Sequence, residues 1–495
     1  MRHYCVRPDK MVREVELKLE VEPAHVGLLH AHPLLRGEAE TERQVSIYYD
    51  TPKGKLHRHG WTLRVRRGER GYVQTVKYAG DGAGLFARGE WECRVPGPRP
   101  DAGAIAETPL AELLNVGQFA HLAPVFRTEV LRSTWTLLRD GAAIELTWDE
   151  GQVRGSHRSC PIQELELECK NGDAGALLNP AREIAERVPV KLGVLSTAER
   201  GFALAGDQYD APVKATPVEL DDDAIVAEGF AAIVAACLKH FRLNEPLLIK
   251  ERNAEALHQA RVALRRLRSA LWLFKPAIQD SGFAAINCRL RQFTAELGEA
   301  RNIDVLLATL APGDAGRRQL EHERGHHYGR VIATLETPEF RSFMVELVAW
   351  SQAGEWRHGK RAGRRLTPYA LKRLDKLWRS IEERGADLAD LSVAERHQLR
   401  IDTKKIRYAL EFLRQPLRAA GSDQKKFANA AEGIQESLGQ LNDLAMAREL
   451  AGEPDWLLRG SAATEDETAA HLLSLATRYL RKLRKVGAYW REAVD

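Results

Sequence analysis

Charged and apolar residues alternate at every second position near the start of the chain, in Glu14-Val15-Glu16-Leu17-Lys18-Leu19. Alternate side chains of a β-strand share a face, so Glu14, Glu16 and Lys18 point one way and Val15, Leu17 and Leu19 the other. The same period recurs at 13–20, 45–50, 61–67, 72–78, 89–95, 125–138, 142–149 and 162–169, which predicts eight strands. Thr51-Pro52-Lys53-Gly54, Gly80-Asp81-Gly82 and Asn171-Gly172-Asp173 read as turns, and helical stretches are expected near 23–31, 103–114 and 174–187. Antiparallel strands of similar length predict a closed barrel, which leaves no edge strand.

The pattern changes after residue 205. Gly206 to Pro217 reads as a linker spanning 206–221, and Asp221-Asp222-Asp223 is placed to cap a following helix. From 222 to 490 the period is helical and the composition is rich in Ala, Leu, Arg, Glu and Lys. His258, Arg261, Arg265 and Arg268 follow an i, i+3, i+7, i+10 spacing that His397, Arg400, Lys404 and Arg407 repeat. Leu267, Leu271 and Phe274 correspond to Ile406, Leu410 and Leu413, and Leu297-Gly298 to Leu438-Gly439. This predicts a duplicated all-α bundle in which each half buries its own apolar stripe.

With 495 residues the chain is long enough for two domains. A net charge of +4 beside 29% charged residues leaves room for separate strongly basic and acidic sites. Cys5, Cys93, Cys160, Cys169, Cys237 and Cys288 stand singly, without zinc-finger spacing or a disulfide framework. Reduced thiols, no apolar leader and no membrane-length run predict a cytoplasmic protein. Met11 precedes the first strand, so residues 1–10 read as a tail or a mis-assigned start.

The polar faces of the strands carry mainly Glu, Arg and Lys. Arg64 and Arg66, Lys77, Arg88 with Glu90 and Glu92, Arg127 and Arg132, Glu145 and Asp149, and Glu164, Glu166 and Glu168 follow in order. Solvated outer faces would mix in more Ser, Thr, Asn and Gln. Turned into a barrel, these groups need partners, since unpaired buried charge is costly. Phosphate oxygens suit the cations, and hard divalent cations suit the carboxylates.

Glu14-x-Glu16-x-Lys18 opening such a sheet, with the late Glu164-x-Glu166-x-Glu168, resembles the CYTH family of triphosphate tunnel metalloenzymes over residues 11–205. The resemblance implies an eight-stranded tunnel that hydrolyses or rearranges a linear triphosphate with Mg2+, or Mn2+. It implies metal ligands at Glu14, Glu16, Asp149, Glu164, Glu166 and Glu168. Phosphate contacts are implied at Lys18, Arg64, Arg66, Lys77, Arg88, Arg127 and Arg132. Glu14, Glu16 and Lys18 become the catalytic group, with Lys18 orienting or deprotonating the attacking water. Thr197, in Ser196-Thr197-Ala198-Glu199-Arg200-Gly201, stands where the family often has Lys, which removes one phosphate contact and bears on substrate length.

The repeated His and cation positions resemble the CHAD domain, a duplicated helical domain, over residues 222–490. The matching residues include Arg266, Asn302 and Asp304 in one half and Lys405, Tyr408, Asn442 and Asp443 in the other. The resemblance implies that His258, Arg261, Arg265, Arg268, His397, Arg400, Lys404 and Arg407 bind inorganic polyphosphate, with an association with polyphosphate granules. A zinc role for the histidines lacks a Cys or His partner at i+4, and nucleic acid lacks a recognition motif and interleaved aromatics. The activity expected is hydrolysis of inorganic triphosphate to diphosphate and phosphate. The alternatives are a non-catalytic polyphosphate scaffold and a tunnel acting on ATP or thiamine triphosphate.

Overall fold

The computed structural model describes residues 16–78, 89–206, 210–311, 313–314, 316–450 and 462–491. Glu14 and Arg88 lie outside the described residues, as does the side chain of Asp443.

Nine antiparallel strands form one sheet: β1 (Glu16–Val21), β2 (Glu40–Asp50), β3 (Trp61–Gly68), β4 (Gly71–Tyr78), β5 (Gly89–Val95), β6 (Ala123–Arg139), β7 (Ala142–Arg154), β8 (Ser159–Asn171) and β9 (Val190–Gly193). Their order is β5-β4-β3-β2-β6-β7-β8-β1-β9. All eight expected strands are present. The ninth, four residues long, pairs with the free side of β1, and among the described residues no ladder joins β5 to β9. The sheet nevertheless curls, because side chains from β1 through β8 line one cavity.

Local sequence explains the hairpins. Asp140 and Gly141 have φ of 51° and 74°, as a two-residue loop matched to strand twist requires, and Arg139 faces Ala142 across it. The two faces then sort by parity. Leu63 and Val65 point outward into a core with Tyr49, Leu56, Val76, Ile105 and Leu110, while Arg64 and Arg66 point inward. Leu17, Leu19, Ile144, Leu146, Leu165 and Leu167 are buried on the outward side of β1, β7 and β8.

Among the described residues, eleven α-helices have nine residues or more and are numbered α1 (Leu178–Arg187), α2 (Thr197–Ala205), α3 (Val226–Glu251), α4 (Ala254–Ile278), α5 (Phe283–Thr309), α6 (Arg317–Glu336), α7 (Pro338–Ala353), α8 (Leu366–Arg384), α9 (Val393–Phe412), α10 (Gly421–Leu450) and α11 (Ala462–Val486). The chain divides into two compact units. The first comprises 1–213, 242–256 and 333–353, and the second comprises 214–241, 257–332 and 354–495.

In the first unit, α7 packs on α1 and β9. Helix α2 is opened by a capping box, in which Ser196 Oγ accepts from Glu199 N at 3.1 Å and Glu199 Oε2 accepts from Ser196 N at 2.8 Å, a device that contributes about 1 kcal/mol. Its Leu204 and Phe202 join Tyr48, Phe126, Val153 and Ile162 in an apolar cluster. Its Thr197, Ala198, Glu199 and Phe202, with the capping Ser196, line the cavity. A Cβ on Gly201 would lie 2.1 Å from the Phe126 ring, so Gly201→Ala is expected to cost roughly 1–3 kcal/mol by overpacking and to lower the thermal midpoint. An unchanged melting curve would refute that packing.

In the second unit, α8, α9, α10 and α11 pack in succession. Leu267, Leu271, Phe274, Ile406, Leu410 and Leu413 are all buried, so the duplicated stripe is core in both halves. The acidic cluster does not cap α3. Glu228 accepts from Ile225 N at 3.0 Å, and Asp222 pairs with Arg418 at 2.8 Å, because the helix starts only at Val226.

Candidate functional site

One cavity of about 690 Å³ is lined by Glu16 and Lys18 of β1, Arg64 and Arg66 of β3, Lys77 of β4, and Glu90 and Glu92 of β5. Arg132 of β6, Glu145 of β7, Glu166, Glu168 and Lys170 of β8, and Glu199 of α2 add to its charged lining. The register accounts for this. Lys18 sits opposite Glu166 and Glu16 opposite Glu168, so the acidic wall is built from two neighbouring strands. Arg64 and Arg66, two residues apart, share the inward face of β3.

Lys18 is the pivot of the acidic wall. Its Nζ donates to Glu166 and lies 3.7 Å from Glu16 Oε1. Burial works against its charge, but Glu166, Glu16 and Glu164 outweigh burial and hold the ammonium well above the usual lysine range. Lys18 in this setting is a proton-bearing cation and not a base, which narrows its expected role to orientation and charge. Burial would raise Glu166, yet Lys18 and Arg132 pull it down to about 2. It stays ionised.

The basic wall is paired in the same way. Lys77 lies 2.9 Å from Glu90, and Arg66 lies 3.4 Å from Glu92, which also accepts from Thr75 Oγ1 at 2.9 Å. Arg64 lies 3.8 Å from both Glu90 and Glu92. Glu90 and Glu92 are absent from the expected site set. Their alternation with Trp91 was visible, but not that they face Arg64 and Lys77.

Three expected residues stand apart from this cavity. Asp149 accepts two hydrogen bonds from Arg132, at 2.7 and 2.6 Å. Glu164 is 1% exposed and is held by Arg200 of α2; burial pushes it up to about 7 against the pull of Arg200 and Lys18. Arg127 is a correction: its side chain is 52% exposed and lies 3.1 Å from Glu129. It is five residues from Arg132, an odd separation in a strand of period two, and therefore points outward.

The donor set of the acidic wall is all oxygen, the chemistry that hard divalent cations take. The Lys18 ammonium already sits between Glu16 and Glu166 as a positive charge. Among the described residues no three Asp, Glu, His or Cys side chains converge as a metal cage, so a cation held there would need phosphate oxygens or water to complete its coordination. Glu16 and Glu166, with Glu168, are the residues that would hold it.

A second charged site lies wholly in the second unit. Arg261 Nη1 donates to Gly298 O at 3.1 Å, and a Cβ on Gly439 would lie 3.1 Å from the Arg400 guanidinium. The Leu-Gly positions of both repeats thus face the first arginine of their own half. Lys404 is surrounded by Arg400, Arg265, Arg261 and Arg407, drawn from both repeats; burial and these four push it down to about 7. Burial, Arg265, Arg301 and Arg400 likewise lower Arg261 to about 10. The Nε groups of Arg261 and Arg265 are buried without an acceptor among the described residues. His258 is half-buried and His397 exposed. Asp304 accepts from Arg324 Nε and the Tyr328 hydroxyl, each at 2.7 Å, and so supports the fold behind this face.

An amine crowded by guanidiniums destabilises the fold that crowds it. Folded Lys404 titrates below the ordinary lysine value, so the unfolded chain holds its proton more tightly. The penalty is full below pH 7 and fades as pH rises toward the ordinary lysine value. Lys404→Met is therefore expected to stabilise the ligand-free chain below pH 7 by about 1 kcal/mol, or roughly 2–4 °C in Tm. Calorimetry showing no rise would refute it.

Comparison with known proteins matches residues 12–202 to the CYTH domain and residues 232–452 to the CHAD domain. The chain carries a CYTH domain followed by a CHAD domain. An inorganic triphosphatase of Haemophilus influenzae is 26% identical over 209 residues, which cover 40% of this chain and 57% of that protein. The chain thus spans little more than half the length of this curated relative. The crystal structure of a CHAD domain from Ricinus communis is 30% identical and covers 56% of this chain and 96% of its own, with a TM-score of 0.46. A Hippeastrum protein described as an adenylyl cyclase with a dominant triphosphatase activity is 15% identical and covers 38% of this chain and 95% of its own, with a TM-score of 0.31. In this chain the CYTH span holds the tunnel and the CHAD span holds the cluster around Lys404. No described helix is long and apolar enough to cross a membrane.

Proposed function

We propose that the CYTH domain hydrolyses inorganic triphosphate to diphosphate and phosphate with a divalent cation, Mg2+ or Mn2+, and that the CHAD domain binds inorganic polyphosphate. The observation that carries the first part is the meeting, in one cavity, of a basic wall (Arg64, Arg66, Lys77 and Arg132) with an acidic wall (Glu16, Glu166 and Glu168). A tunnel that bound anions alone would gain nothing from the carboxylates. The similarity to an inorganic triphosphatase supports the same reading.

In this reading, Arg64, Arg66 and Lys77 exchange their Glu90 and Glu92 partners for phosphate oxygens, and Arg132 holds the phosphoryl group next to the acidic wall. Lys18 keeps Glu166 ionised and holds Glu16 and Glu166 in place. Water attacks the terminal phosphorus, the P–O–P bond breaks, diphosphate leaves and a proton is released. A bound divalent cation supplies charge neutralisation on the phosphate oxygens and a more acidic water.

For the CHAD domain, the observation is the cluster of Arg261, Arg265, Arg400, Lys404 and Arg407, whose mutual repulsion is the main electrostatic influence on Lys404. A polyanion relieves that repulsion and gains from counterion release.

The test is phosphate release from inorganic triphosphate by the full chain, with and without magnesium or manganese, beside ATP and thiamine triphosphate. Metal-dependent release from inorganic triphosphate in preference to the other two supports the proposal. Release only from an organic triphosphate, or binding without turnover, overturns it.

A further inference from the structure

Glu20 of β1 and Glu164 of β8 lie directly opposite each other, two residues beyond the Lys18–Glu166 pair that sits on the tunnel wall and on the same face. Like charges facing across a ladder push strands apart. Here two guanidiniums hold them together. Arg200 of α2 pairs with Glu164 and reaches Glu20 Oε1 at 3.4 Å. Arg242 of α3 takes the other oxygen, donating from Nη2 to Glu20 Oε2 at 3.0 Å. Its Nε donates to Leu192 O on β9 at 2.9 Å, and it also pairs with Glu245. Arg242 is only 5% exposed, so its charge is committed to these partners. It therefore ties β1 to β9 directly and reaches β8 only through the shared Glu20–Arg200–Glu164 contacts, and it does so from within the span that matches the CHAD domain.

We propose that Arg242 is a positioning residue for the tunnel: through Glu20 and Arg200 it sets the spacing of β1 and β8 at Lys18 and Glu166. Without it, Glu20 and Glu164 share Arg200 alone, and the strands separate at the step next to the acidic wall. The effect on strand protection is a property of the fold. The effect on rate rests on the hydrolytic reading above.

Arg341 of α7 is the built-in comparison. It is equally buried and donates to Pro189 O and Glu22 Oε1, each at 3.4 Å. It thus anchors the far end of β1 and the approach to β9 without joining the Glu20–Arg200–Glu164 chain. The experiment compares full-length Arg242→Met and Arg341→Met by hydrogen exchange and by steady-state kinetics on inorganic triphosphate.

Arg242→Met is expected to speed exchange at 16–21 and 164–168 by about tenfold, and to lower kcat by about tenfold with little change in KM. Arg341→Met is expected to leave both near the parent values. Glu20→Gln removes the repulsion that Arg242 offsets, so it should cause little loss itself and should restore most of the loss when combined with Arg242→Met, and Arg242→Lys should recover part of it. Equal exchange in the Arg242 and Arg341 variants, or a double variant with Glu20→Gln that is no better than Arg242→Met alone, overturns the proposal. If Arg242→Met does not fold, Arg242→Lys, alone and combined with Glu20→Gln, carries the same comparison. If the parent chain releases no phosphate, the hydrolytic reading fails, and the exchange comparison still decides whether Arg242 positions the strands.

Discussion

Glu166→Gln is expected to lower kcat/KM for inorganic triphosphate by about 10²–10³-fold while the chain stays folded. Glu166 meets two cations of the cavity: Lys18 Nζ donates to it and Arg132 lies 3.5 Å away. The amide keeps the shape and a hydrogen-bond acceptor but removes the charge that a divalent cation needs. It also leaves Lys18 dependent on Glu16, 3.7 Å away. Glu164→Gln is the control. Its side chain is buried under Arg200 and lines no part of the cavity, so its effect on rate should be much smaller than that of Glu166→Gln. Initial rates across a metal titration, with circular dichroism for folding, decide the matter. Turnover within threefold of the parent for Glu166→Gln, or an equal loss for Glu164→Gln, would place the chemistry elsewhere.

Reversing two charges in the CHAD domain, Arg261→Glu with Arg400→Glu, is expected to abolish high-affinity polyphosphate binding and to make the salt dependence shallower. Each phosphate contact contributes about 0.7 to the slope of log K against log salt for a single-stranded polyanion, so losing two should flatten it by roughly 1.4. The same change places two carboxylates beside Lys404, where Arg261 and Arg400 now repel its charge. The ligand-free variant should therefore be more stable than the parent while binding less. That opposition of sign separates a binding role from a structural one, because arginines that merely held helices together would lose stability on reversal. Calorimetric titration with polyphosphate across a salt series, beside a thermal melt, measures both. Unchanged affinity, or equal affinity for DNA of matched charge, would reject a dedicated polyphosphate face.

Much of the tunnel was legible because its walls are local patterns. A period of two in Glu16 and Lys18, in Arg64 and Arg66 and in Glu166 and Glu168 already sets each pair on one face, and antiparallel pairing then brings the faces together. Arg127 shows that the same rule carried more than was drawn from it, since Arg127 and Arg132 cannot share a face of an unbroken strand. The ninth strand is only four residues long, and its pairing depends on a free side of β1 that no local pattern reveals. Asp140-Gly141 joins two predicted strands, and the structure shows its turn in the positive φ of both residues.

Periodicity alone determined two things about this protein: which residues of each strand or helix lie together, and that the basic helix occurs twice with its buried stripe. Neither depends on anything more than a turn or a strand step away. Tertiary structure alone decided which faces meet. Glu164 left the cavity because α2 delivers Arg200 to it, Glu90 and Glu92 joined the basic wall because β5 pairs with β4, and Lys404 lost its ordinary affinity for a proton because two helices far apart in sequence converge. Ionic interactions act through space over a few ångströms, so the partner of a buried charge is set by the packing of the chain and not by its neighbours in sequence.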